Sequence, residues 1–149
     1  SLYTFWKRTL GPPSMLAFDS AARETCVVHE VRTNTPIQAL NLMNDVTYAE
    51  AARLLAERMI REGGDDDGAR LAYGFQLATA RSPEPQEKDI LMTGLRRFQK
   101  RYQSAPSDAE MFLDHGEHPR DTSIETPELA AYAAVASLIL NLDETVTKN

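Results

Sequence analysis

The chain has 149 residues, 42% hydrophobic and 26% charged, with a formal net charge of −6. That length supports one core burying roughly two-thirds of the unfolded surface, and the composition excludes disorder and low-complexity structure. The basic residues are mostly interleaved with acids, which excludes the concentrated positive footprint that phosphate binding needs, so no nucleic-acid partner is expected. The longest uncharged run, residues 129–142, is fourteen residues, short of the roughly 20 that cross a bilayer. It is expected as a buried helix, without membrane insertion.

Residues 1–33 carry no sustained helical period and are punctuated by Gly11, Pro12 and Pro13. They are expected to be irregular, with at most one short extended piece in the β-branched stretch 25–31. Tyr3, Phe5 and Trp6 crowd the start, and an aromatic cluster wants a partner surface, which reads as an internal cut in a longer protein. The pattern then changes. Thr35-Pro36-Ile37-Gln38 supplies a capping hydroxyl, a proline at the first helical position and a glutamine three residues after the cap. A short helix is expected from Pro36 to about Asn44, with Ile37, Leu40 and Met43 or Asn44 on successive turns. Asp45 or Thr47 caps the next helix, where Tyr48, Ala51 or Ala52, Leu55 and Met59 repeat at helical spacing. Glu50, Arg53, Glu57 and Arg61 take its other side, which predicts an amphipathic surface helix.

Gly63-Gly64 stops that helix, and Asp65, Asp66 and Asp67 favour the positive end of a third, with Leu71, Phe75 and Ala78 inward. Pro83 and Pro85 open a fourth, buried through Leu91, Leu95, Phe98 and Tyr102. Its other faces carry Lys88, Arg96, Arg97, Lys100 and Arg101, the one locally basic stretch. Ser107 with Glu110 suggests a brief fifth helix ending near Asp114. A polar loop follows over residues 114–125. Thr126-Pro127-Glu128 repeats the cap-plus-proline start, and the helix it opens is apolar or small on nearly every face until Leu142. A helix without a polar side belongs in the middle. The expected fold is all-α: an irregular N-terminal segment over residues 1–34, then an antiparallel helical bundle over 35–149 around a central C-terminal apolar helix, in one domain.

Candidate chemistry is thin. Cys26 is alone, so no intrachain disulfide forms, and Cys26 with His29 lacks the second cysteine of a haem-attachment motif. His115 and His118 share the polar loop with Asp114 and Glu117, a metal candidate in composition, yet Gly116 and Pro119 leave no rigid element to place both rings. A solvated loop is the expectation there. The run 65–68 lacks the carboxylates of a calcium loop. Asp143 and Glu144 are adjacent, point to different faces and are expected to be solvated. The more informative group is Asp19, Arg23, Glu24, Arg32 and Asn34, polar residues just before a well-capped helix. Paired charges and an amide there either brace the loop or line a site, and bracing is preferred because most such networks serve loop geometry. No catalytic residue, cofactor or metal ligand is assigned.

Some of these residues carry a resemblance. The runs 1–8 (SLYTFWKR), 12–15 (PPSM), Phe18-Asp19, 23–26 (RETC), 32–40 (RTNTPIQAL), 42–45 (LMND) and 140–144 (LNLDE) resemble the C-terminal domain of unknown function in large planctomycete proteins that often also carry a cytochrome-c-like domain. The match covers the second half of that domain. The resemblance implies an exported precursor, hence a periplasmic or extracellular setting. It also implies partners among the other domains of the same chain, a cytochrome-c-like domain being one. It implies no activity, because the family defines none. Where the pattern has two basic residues before Val31, this chain has His29-Glu30, which removes the charge that anion binding would need. Two functions stay open: a non-catalytic structural or interaction module, or part of an active or ligand site completed by an upstream region.

Overall fold

A computed structural model of the protein describes Phe5, residues 11–20, Thr33 and residues 35–147. Every regular element among the described residues is helical, as the spacing of apolar residues predicts. The chain divides into two units, residues 1–41 and 42–149.

The first unit holds α1 (Pro13–Ala17) and most of α2 (Pro36–Asn44). The five-residue α1 adds one helical turn to a segment expected to be mostly irregular: Pro13 occupies that first turn, where its missing N–H costs nothing. The stretch 25–31, with Cys26 and His29, lies outside the described residues, as do Tyr3 and Trp6. Phe5 is exposed. The start of α2 forms the predicted reciprocal cap. Thr35 N donates to Gln38 Oε1 at 2.9 Å, and Gln38 N donates back to Thr35 Oγ1 at 3.4 Å. Two orphan amides are thereby satisfied.

The second unit is built on α3 (Val46–Glu62), α4 (Asp67–Thr79), α5 (Pro85–Ser104), α6 (Pro106–Leu113), α7 (Thr126–Leu140) and α8 (Asp143–Val146). Asp45 caps α3, its Oδ1 accepting from Thr47 N at 2.9 Å, and Asp66 caps α4 through Ala69 N. Glu84 and Glu87 form a capping box ahead of α5, and Pro106 opens α6. The start of α7 falls one residue earlier than the cap-plus-proline reading predicts. Thr126 is its first residue, and Glu125 takes the cap position without a side-chain bond. The short α8 follows a break at 141–142 that the sequence reading did not resolve.

The last long helix is the axis of this unit. Leu129, Ala130, Ala131, Tyr132, Ala133, Val135, Ala136 and Ile139 are all fully buried, and α3, α4, α5, α6 and α8 pack against the helix that bears them. Met59 of α3, Leu71 and Phe75 of α4, and Leu95 of α5 close onto it. Each buried Leu or Phe contributes roughly 1.5–3 kcal/mol. Small residues along α7 let five neighbours share one centre. Tyr132 is the exception in size, and its hydroxyl donates to Asp67 Oδ1 at 2.6 Å. Burial, reinforced by that bond to a carboxylate, pushes its phenol above the ordinary range.

One prediction about α3 fails. Arg53 and Glu57 were assigned to a solvent face, yet they are 2% and 7% exposed. A helix period reports two faces and cannot say that a distant loop will cover the polar one.

Candidate functional site

Two polar clusters stand apart from the apolar core, one in each unit. In the first, Asp19 adopts a left-handed backbone, φ 54°, a conformation that costs a non-glycine residue free energy and needs support from its surroundings. Thr33 supplies that support twice, its N donating to Asp19 Oδ2 at 2.8 Å and its Oγ1 at 2.6 Å. Gln38 Nε2 reaches the same carboxylate oxygen and Thr33 Oγ1, each at 3.4 Å. Gln38 is only 2% exposed, so a buried amide links the loop to the cap of α2. The hydroxyl and then the amide of Thr33 hold the Asp19 carboxyl below the usual carboxylate range. Of the predicted group Asp19, Arg23, Arg32 and Asn34, the last three lie outside the described residues. Thr33 and Gln38 are the partners that the sequence reading missed. Gln38 was recognised as a cap, and its second pair of bonds depends on a contact nineteen residues away.

In the second unit the polar stripe of α3 receives the loop 114–125. Arg53 Nη1 donates to Glu57 Oε1 at 3.2 Å, and its Nη2 donates to the His118 carbonyl at 2.7 Å. Among the described residues its buried Nε has no hydrogen-bond partner. Glu50 Oε1 accepts from His118 N at 2.6 Å, and Glu57 Oε1 accepts from Asp121 N at 3.3 Å. Arg61 pairs with Asp121, whose other oxygen accepts from Ser123 N and Oγ. The Ser123 hydroxyl and amide, with Arg61 beside them, hold the Asp121 carboxyl below its ordinary range. The carboxylates of α3 thus grip backbone amides of a loop that has no regular structure to pair them.

The metal candidate pair sits on this loop. Both rings are exposed, and His118 Nδ1 lies 3.0 Å from the Pro119 carbonyl. That neighbour makes Nδ1 a donor. Among the described residues, no three His, Cys, Asp or Glu side chains gather as a metal site.

A third arrangement engages Glu144, which is exposed as expected and ion-paired as well. Arg81 forms a two-bond fork with Glu87 at 2.8 and 2.7 Å, and a second with Glu144 at 3.0 and 2.7 Å. Its guanidinium lies 4.8 Å from the Phe75 ring centroid. The Arg81 bonds, then the Glu84 amide, hold Glu87 down to about 2. One arginine thereby joins the end of α4, the start of α5 and α8.

Depressions on this unit are open and shallow. One of about 610 Å³ is lined by Ser107, Glu110, Met111, Leu113, Asp114 and Arg120. It gathers a hydroxyl, two carboxylates and a guanidinium.

The family that matches is PSD1, described as protein of unknown function (DUF1553), over residues 1–95. The chain belongs to this family. No curated protein and no solved structure matches it significantly. The family match covers all of the first unit, α3, α4 and the first half of α5, so the Asp19 cluster and the polar stripe of α3 lie within it. No described helix is long and apolar enough to cross a membrane.

Proposed function

We propose that this part of the PSD1 (DUF1553) protein is a non-catalytic helical module that packs against other domains of a larger exported protein, a cytochrome-c-like domain among them. The observation that carries the reading is the outward face of α2. Ile37 and Leu40 are 64% and 61% exposed, while Gln38 is 2% exposed. An apolar row at helical spacing left in water is the signature of a docking face. The clustered polar groups support the same reading, because the carboxylates of Asp19, Glu50, Glu57 and Asp121 are engaged in holding loops. The export setting and the neighbouring domain rest on the sequence resemblance.

Leu40→Glu introduced into the longer protein tests this. The reading expects faster limited proteolysis next to this part of the protein, with the thermal unfolding of the 149-residue chain unchanged. Unaltered proteolysis would count against it. A second reading is favoured by Asp19 alone: a strained, ionised residue belongs equally to a ligand site completed from outside the chain, with Arg23, Arg32 and Asn34 as its other members. Turnover or ligand binding by the longer protein that disappears in Asp19→Ala, with folding retained, would select that reading.

A further inference from the structure

The outward side of α5 combines three features that the core does not explain. Ile90 is 71% exposed. One turn later Gly94 stands in the helix interior, and a Cβ built there meets nothing within 4 Å. Glycine in such a position costs a helix stability relative to alanine, and no packing among the described residues requires it. One and two turns further on, Arg97 and Arg101 continue the same row, flanked by Arg96 and Lys100, and all four are exposed. Among the described residues, none of these four cations forms an ion pair, although the chain carries a net charge of −6.

The face is ordered along its length. Acidic Asp89 leads, Ile90, Thr93 and Gly94 stand in the middle, and the cations follow, every one of them exposed except the partly covered Gly94. A surface acidic at one end and basic at the other is complementary to itself when reversed. An antiparallel copy crossing at Gly94 brings Lys100 of one protomer towards Asp89 of the other. It also lays the aliphatic stem of Arg97 over Ile90 of the other protomer. The missing side chain at Gly94 allows the two backbones to approach to the short end of helix-packing distances.

We propose that the outward face of α5 is a self-association surface on which a second copy of this chain docks antiparallel across Gly94. This deepens the module reading by naming one partner. A single helix pair buries less than about 1,200 Å², so the dimer is weak, with a dissociation constant in the micromolar range or above. Sedimentation velocity of the chain from about 1 µM to 1 mM tests it. The expected result is a concentration-dependent rise towards the dimer, weakened at least about tenfold by Gly94→Leu. Asp89→Lys and Lys100→Glu should each weaken association, and the double variant should recover it. Gly94→Ala separates the two roles of the glycine. It should raise the melting temperature of dilute protein by about 2–4 °C while weakening the dimer. A monomer throughout the range overturns the proposal, as does association indifferent to Gly94→Leu. Either result leaves the module reading standing, since that rests on α2.

Discussion

Gly116 shows how much can hang on one atom. Its φ is 100°, and an added Cβ would fall 2.5 Å from Glu50 Cδ and 2.7 Å from Oε2, the carboxylate that receives the His118 amide. Gly116→Ala therefore meets both backbone strain and a collision at the point where the loop is anchored. A loss of about 1–3 kcal/mol is expected in urea unfolding, with the far-UV helical signal retained. At the same scale Gln38 explains why a cap was legible while its larger role was not. Its bonds to Thr35 are three residues away and follow from the Thr-x-x-Gln spacing. Its bond to Asp19 depends on a chain reversal that no local pattern encodes.

At the scale of elements, most helix starts were readable because the groups that satisfy them are neighbours in the chain: Asp45 with Thr47, Asp66 with Ala69, and proline at the openings of α2 and α5. The start of α6 corrects the reading of Ser107 with Glu110 as its cap, since Pro106 is already helical and Ala105 takes the cap position without a side-chain bond. Burial of a polar face was not readable. Arg53 is covered by residues some sixty-five positions on, and the spacing that predicts a solvated stripe is identical for one gripped by a loop. The Arg81 junction has the same character, since Glu87 is near in sequence and Glu144 is not. Its pH behaviour follows from the sign of the shift. Glu87 ionises at about 2 in the fold against an ordinary 4.5, so the fold favours its charged form. The stabilisation is present above pH 4.5 and is lost as the pH falls through 2. Glu87→Gln removes the group that titrates. The variant should be less stable than the parent near pH 7 and should lose less stability between about pH 4.5 and 2, as measured by urea unfolding across that window.

For the whole molecule, the decisive feature legible in the sequence was the alanine-rich run near the C-terminus, because a helix lacking any polar side has only one place to go. The long helices packed on it were legible too, and the exception is α8, too short to establish a period. The centre is narrow by composition. Ala136, fully buried on α7, should not accept a larger side chain. Ala136→Leu is expected to cost about 1–3 kcal/mol and to lower the melting temperature by about 2–4 °C per kcal/mol in calorimetry.

The position of α7 in chain order also governs when the second unit can close. The four helices before it are made first, and each carries an oily stripe whose main acceptor is not yet synthesised. A nascent chain of this design stays open until that helix leaves the ribosome, which lengthens the interval in which chaperones can hold it.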